Sequence, residues 1–437
     1  MKKRKWWLLI FPALLLIIVI LVGNQTGAEK TIELELGILT GSNWDVANAT
    51  SYEIIDNAIE IFEAEHPGVK VHYDSGIRKE DYSEWLSRKV LKGETPDVFM
   101  VLSEDFYQLA SLGVLENIDV QAEIDPNFST KYYYQTALKT GQYQGSQYAL
   151  PYETVPTLMF VNKTLLEREG LAVPSAEWTW SELEHIAGQV TKDTDGDGII
   201  DQFATYNYGW KEAAYSNGVE LFNADGTKAY LGDSRTIEAV KFVKGLNDLN
   251  GDQKVTQDQF DGGSVAFMPL AFSDYRTYKT YPYKIKKYSS FQWDCITLPA
   301  GPKGDNTSEV NTLLVSMNKH TEQKELAWEF MKLLTYESSI QRQIFEYSQG
   351  ASVLNYVTGS KYAESMLRRD MEVNEKIIDS SLLNDVIENG TITPAFSSYS
   401  EAVSLAESEV AKMVDEEKNI DSSMKKLQRD ISKYLKE

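Results

Sequence analysis

Ile32, Leu34, Leu36 and Ile38 alternate with polar neighbours, a period of two that predicts a strand with one buried face. Ile54, Ile55, Ala58, Ile59 and Phe62 then recur at helical spacing, and His66-Pro67-Gly68 ends that helix. Val69, Val71 and Tyr73 alternate again. Tyr82, Trp85, Leu86 and Val90 mark a second amphipathic helix closed by Gly93, and Val98 to Leu102 is an unbroken apolar run of the kind buried on both faces of a parallel sheet. Strand, helix, strand, helix, strand predicts a doubly wound α/β architecture. Further on, Tyr148 to Thr191 combines an apolar strand-like run carrying Glu153, a turn at Asn162-Lys163, and a proline-marked loop. It ends in Thr179-Trp180-Ser181-Glu182, a capping box in which the hydroxyl and the carboxylate each satisfy an orphan backbone donor. Leu183, Ile186, Ala187 and Val190 follow on one helical face.

The amino terminus has a different pattern. Lys2, Lys3, Arg4 and Lys5 precede Trp6 to Val22, seventeen residues without a charge, which predicts an export signal with the remainder outside the cell. Leu21-Val22-Gly23-Asn24 has the form of a lipoprotein processing box with Asn where the lipid-bearing Cys belongs, so no thioether lipid can form there. Residues 1–30 are therefore expected to act as an uncleaved membrane anchor, with cleavage after Thr26-Gly27-Ala28 as the alternative.

Length, 437 residues, exceeds one ordinary core and suggests two to three domains. A net charge of −22, with no basic cluster beyond the amino terminus, argues against nucleic acid as a partner. The single cysteine, Cys295, excludes an intrachain disulfide and a multi-cysteine metal site, and its strand-like setting predicts a buried small hydrophobe. Catalytic patterns are poor. His66, His72, His185 and His320 are scattered, and neither a Gly-x-Ser-x-Gly elbow nor a phosphate-binding glycine loop occurs. The most specific local motif is Asp193 to Asp201. Asp193, Asp195 and Asp197 supply oxygens at positions 1, 3 and 5, Ile199 a backbone carbonyl at 7, and Asp201 an acid at 9, which predicts a structural Ca2+ site. Position 12 is Ala204 rather than a bidentate Glu, so the loop is only EF-like; an Asx-turn loop with solvated acids is the alternative.

The Tyr148–Thr191 block resembles the bacterial extracellular solute-binding proteins of ABC sugar importers, the maltose-binding-like family. Phe62–Val71 (FEAEHPGVKV), Thr95–Val101 (TPDVFMV) and Leu109–Asp119 (LASLGVLENID) agree in order and spacing. So do Phe260–Leu270, Trp293–Pro302, Ala327-Trp328-Glu329-Phe330 and the closing segment Asn389–Glu437. The resemblance implies a two-lobe, type II periplasmic-binding-protein-like α/β fold, each lobe a doubly wound sheet flanked by helices, with hinge crossings near Pro151, Pro299 and Gly350. One lobe would hold 31–150 and 300–350, the other 151–299 and 351–437.

The same resemblance implies an oligosaccharide ligand, with aromatic rings covering sugar faces and polar groups bonding the hydroxyl rim. Trp44 and Asp45, after the first strand, are the expected first-lobe contact, against a Trp packing its own loop. Glu104, after the third strand, serves either ligand or helix cap. Tyr152 and Glu153 fall at the first crossing. Trp210, and the group Phe272, Asp274, Tyr275 and Arg276, are the expected second-lobe contacts, and truncation of Trp210 is expected to weaken sugar binding without lowering the melting temperature much. Trp178, Trp180 and Trp293 are assigned to packing. The expected role is a monomeric, membrane-attached receptor that presents its sugar to an ABC permease. A sugar sensor for a membrane histidine kinase and an extracellular glycan-cleaving enzyme are the competing readings.

Overall fold

A computed structural model describes residues 31–46, 50, 52–278, 291–369, 378–394, 396, 398–415 and 418–436. The expected signal or anchor at 1–30 lies outside the described residues. Among those described, no helix is long and apolar enough to cross a membrane.

Strands β1 (Ile32–Gly37), β2 (Val69–Tyr73) and β3 (Val98–Val101) form where the alternation and the apolar run predict them. β1 lies between the other two and runs parallel to both. A two-residue-per-arm hairpin, β4 (Gln142–Tyr143) and β5 (Ser146–Gln147), leads into β6 (Leu150–Asn162). Then come β7 (Phe203–Thr205), β8 (Val265–Ala271) and β9 (Trp293–Ile296), and finally β10 (Glu309–Met317), β11 (Ala351–Ser352) and β12 (Thr391–Ile392). The order across the sheet is β2-β1-β3-β10-β6-β8-β7, with β9 and β11 also on β6 and β12 on β10.

β6 holds this arrangement together. Leu150 to Pro156 pair with β10, and Glu153 and Thr154 also pair with β11. Thr157 to Val161 pair instead with β8, and Met159 to Asn162 with β9. One strand thus changes both neighbours at its middle and belongs to two sheet halves. Pro156, which has no N–H to give to a ladder, stands at the changeover. The pleat explains why β6 reads as continuously apolar. Leu158 and Phe160 point into one core, with Phe260, Met268 and Phe272, while Met159 and Val161 point into the other, with Leu183, Phe267 and Leu298.

Helices cover both halves. Glu53–Glu65 buries Ile54, Ile55, Ala58 and Phe62, and Phe62 meets Phe330 of the helix Lys324–Tyr336 edge to face at 5.0 Å. The capping box forms as expected on Trp180–Val190: Glu182 N–H donates to Thr179 Oγ1 and Thr179 N–H to Glu182 Oε2. Trp178 is fully buried and donates from Nε1 to Thr297 O, and Trp180 stacks on Phe242 at 4.2 Å, so both serve packing. Cys295 is buried, as its strand-like setting predicts.

Past the expected third crossing near Gly350 the chain keeps contacts with the first half. Ala351, Val353, Leu354, Val357, Leu383 and Ile387 are buried in one cluster with Tyr134, Leu150 and Leu314, a cluster that also takes in Phe272 and Tyr275. The helix Ser380–Glu388 rests on the helix Gln135–Lys139, where Thr136 Oγ1 donates to Glu388 O and Tyr134 OH bonds Asn384 Oδ1. Only at β12, paired with Glu309 and Val310, does the chain turn to the second core, which then takes the helices Tyr399–Asp415 and Ile420–Tyr434. The reason is that the polar partners of this segment, on Tyr134 and Thr136, sit in the first half.

Gln341 anchors β6 to its surroundings. Its Nε2 donates to Tyr152 O and Leu334 O, and its Oε1 accepts from Ser352 Oγ and Val353 N–H, all inside the core. Gln341→Leu keeps the volume but leaves buried donors and acceptors unmet, at about 1–3 kcal/mol each before relaxation. Thermal or urea unfolding of Gln341→Leu is expected to show a loss of about 3 kcal/mol; a wild-type midpoint contradicts the anchor.

Candidate functional site

A small cavity lies where the loop after β1 meets the middle of β6. Gly41, Ser42 and Asn43 line it from the loop, Tyr152 and Glu153 from β6, and Tyr347 and Ser348 from the segment before β11. Glu153 is 3% exposed, and its Oε1 accepts 2.6 Å hydrogen bonds from Ser348 Oγ and Gly350 N–H. Burial pushes the Glu153 carboxyl above its usual range, against the opposing pull of Ser348, Trp44, Gly350 and Arg276. The Trp44 indole N–H is beside this carboxylate but outside hydrogen-bonding geometry, and it is buried without a partner. Tyr152 is also buried, and desolvation raises its hydroxyl pKa.

Gly350 owes its identity to this approach. A Cβ there would sit 2.3 Å from Glu153 Oε1, so any side chain would expel the carboxylate. From the other half, Arg276 on the helix Phe272–Tyr278 donates to Phe345 O at 2.8 Å and Gly350 O at 3.3 Å. The structure therefore gathers Trp44, Tyr152, Glu153 and Arg276 around residues 345–350.

The other expected contacts are placed differently. Asp45 is exposed, in a left-handed conformation (φ 57°), and pairs with Lys79 at 3.0 Å. Glu104 is exposed in the first turn of the helix Ser103–Ser111, whose start has no side-chain cap. Beside it, Asp105 turns inward to accept from Ser83 Oγ, and burial raises its pKa. Phe272 and Tyr275 are buried and stacked on one another at 5.9 Å, beneath the surface rather than on it, while Asp274 is half-buried. Trp210 is 8% exposed in the second core with Ala213, Tyr215 and Phe222.

The acidic loop is well ordered by its own hydrogen bonds. Asp193 Oδ1 accepts from Gly196 N–H and its Oδ2 from Gly198 N–H, both at 2.7 Å, and these donors hold its pKa below the usual carboxylate range. Carboxylate oxygens of Asp193, Asp195 and Asp197 lie within 4.8 Å of one another, a donor set of hard oxygens that fits Ca2+. Asp201 stands apart from this trio, with its two oxygens taken by Thr194 N–H and Thr194 Oγ1, and the Ile199 side chain is exposed. Position 12, Ala204, is buried within β7, so a strand rather than a helix leaves the loop.

Several residues of this region carry no local sequence signal. Ser348 and Gly350 matter only because β6 passes them, almost two hundred residues away in the chain. Lys211, on the helix Trp210–Ser216, pairs with Glu309 of β10 at 3.5 Å and so links the two halves. Asn207 is left-handed (φ 55°) at the carboxyl end of β7, as Asp45 is in the loop after β1. Asn and Asp tolerate that conformation best, which is the one trace it leaves in the sequence.

Comparison with known proteins agrees with this geometry. Residues 43–338 match the model of the family described as bacterial extracellular solute-binding protein. A Brucella abortus binding protein is 24% identical over 285 residues, covering 62% of this chain and 66% of that protein, so the match spans just under two thirds of the relative's length. Among solved structures, the sugar-binding protein MalE from Xanthomonas citri superposes with a TM-score of 0.74 at 15% identity, covering 92% of this chain and 97% of that one. The cyclic α-maltosyl-1,6-maltose binding protein of Arthrobacter globiformis gives 0.76 at 15% identity, covering 93% and 99%. An ABC substrate-binding protein of Listeria monocytogenes, solved with cycloalternan, gives 0.68 at 18% identity, covering 93% and 99%. These likenesses establish the two-lobe α/β fold.

Two outcomes follow from the placements. Glu153→Ala strands the buried donors of Ser348 and Gly350 and is expected to cost about 2–4 kcal/mol of stability, whereas Glu153→Gln, whose amide oxygen can accept from both, should cost less than half as much; equal melting points for the two variants would refute the assignment. Trp210→Ala is expected to lower stability by about 3–5 kcal/mol as a core truncation, and a protein that loses sugar affinity at an unchanged melting temperature would return Trp210 to the binding surface.

Proposed function

This chain belongs to the bacterial extracellular solute-binding proteins, and from that membership we propose that it captures an oligosaccharide between its two lobes and delivers it to an ABC permease. The observation that carries the reading is β6, a single strand shared by two sheet halves, with polar and aromatic side chains gathered around its middle. Such a strand lets two rigid bodies rotate while staying joined. A sugar that contacts both bodies stabilises the closed form in proportion to its preference for that form, and a ligand with equal affinity for both shifts nothing.

The relatives narrow the chemistry. Cycloalternan and cyclic α-maltosyl-1,6-maltose, named for the Listeria and Arthrobacter proteins, make α-linked gluco-oligosaccharides the first class to test. Trp44, Asp45 and Glu104 on the first lobe, with Asp274 and Asn207 on the second, are the proposed contacts. The protein binds and releases its sugar unchanged, acts as a monomer, and is held at the outer face of the membrane by residues 1–30. Calcium in the Asp193–Asp201 loop would bridge Asp193, Asp195 and Asp197 and fix the chain entering β7, far from any chemistry on the sugar.

Titration calorimetry with linear and cyclic α-gluco-oligosaccharides is expected to show one site per chain with no release of reducing ends. Silence across the panel sinks the sugar reading, and liberated reducing ends would point to an enzyme. Chelation with EGTA is expected to lower the thermal midpoint, and added Ca2+ to restore it, because an ion that binds only the folded loop stabilises it by mass action. A midpoint indifferent to both treatments leaves the loop as a plain Asx turn.

A further inference from the structure

The sequence marks Arg276 as a candidate sugar contact, yet its guanidinium spends its hydrogen bonds on the protein. It leaves the helix Phe272–Tyr278, which follows β8 in the second half of the sheet. Nη2 donates to Phe345 O at 2.8 Å and Nη1 to Gly350 O at 3.3 Å. Phe345 belongs to the helix Ile344–Tyr347, which is tied to the first half by Thr50 Oγ1 donating to Tyr347 O and by Asn57 Nδ2 donating to Gln343 Oε1 just before it. The contact therefore crosses from one half to the other. The guanidinium also lies over two rings, Phe272 of its own helix at 6.0 Å and Phe345 of the facing helix at 5.8 Å.

Gly350 completes the link. Its N–H donates to Glu153 on β6 while its carbonyl accepts from Arg276, so one residue's backbone lies between a buried acid and a base from opposite directions. The missing side chain is required for that fit, as a Cβ would fall 2.3 Å from the carboxylate. A second tie runs parallel, with Ile378 N–H donating to Tyr275 OH at 3.3 Å. A planar fork with two donors on two separate carbonyls fixes orientation as well as distance, which a lysine cannot reproduce.

We propose that the chain Arg276–Gly350–Glu153 is an interlobe latch that sets the lobe arrangement of the sugar-free protein, and so tunes affinity without touching the sugar. The inference rests on the two-lobe capture reading. Because a ligand's apparent affinity scales with the fraction of protein already in the competent arrangement, a latch beside the hinge changes affinity at constant sugar contacts.

The test measures lobe geometry without sugar, so its outcome is separate from whether any sugar binds. Spin labels on cysteines at Leu91 and Leu405, both exposed and on opposite lobes, report the distance distribution in the full chain, with buried Cys295 unlabelled. Arg276→Met is expected to broaden the sugar-free distribution and to change the affinity for any α-gluco-oligosaccharide that binds by about five-fold or more. Should Arg276→Met not fold, Arg276→Lys carries the test, with broadening again expected. A distribution superimposable on wild type in a folded variant overturns the latch. Broadening in a protein that binds none of the sugars keeps the latch and removes the capture reading instead.

Discussion

One thirteen-residue strand has to satisfy two sheets. β6 exchanges its hydrogen-bond partners between Pro156 and Thr157, and everything else about the molecule is arranged around that change. Each half of the strand is locked by its own neighbours, so relative motion of the halves concentrates where the partners change. The backbone groups that lose a ladder partner there need other satisfaction. A proline at the changeover removes one donor from the problem, and at the bulge earlier in the strand, where Tyr152 is skipped by the β10 ladder, Gln341 meets Tyr152 O.

A joint of this kind has to be soft in rotation but exact in register. Register comes from the core contacts on both faces of β6. Softness comes from the few, separable polar ties between the halves: Arg276 to residues 345–350, Lys211 to Glu309, and Tyr275 to Ile378. Each is individually weak against the free energy of either core, which is the condition for lobes that move without unfolding. Glu153 is the costly member. An acid held out of water is tolerated because two short hydrogen bonds and a nearby guanidinium compensate it.

Local chemistry was readable from the chain and long-range chemistry was not. The strands at Ile32 and Val69, the helix ended by Pro67-Gly68 and the Thr179 capping box all follow from period and neighbours, because the forces involved act within a few residues. The turn geometry of the Asp193 loop was equally legible, although the strand that follows it, three residues long, is too short to show a period. Glu153 is legible as a candidate but its hydrogen-bond partners are not, since Ser348 and Gly350 lie almost two hundred residues further on. Trp210 shows the ambiguity of aromatic residues: a ring after a strand suits a sugar face or a core, and its packing with Ala213 and Phe222 carries no signal in the local sequence. The segment after the expected third crossing at Gly350 was equally hard to place, because Tyr134 and Thr136, more than two hundred residues earlier, bond the helix that follows it.

The central claim is that two lobes joined through β6 close on a carbohydrate. Small-angle X-ray scattering on the protein, alone and saturated with an α-gluco-oligosaccharide shown to bind, measures this directly. The account predicts a smaller radius of gyration in the saturated protein, and an unchanged radius at full occupancy contradicts it.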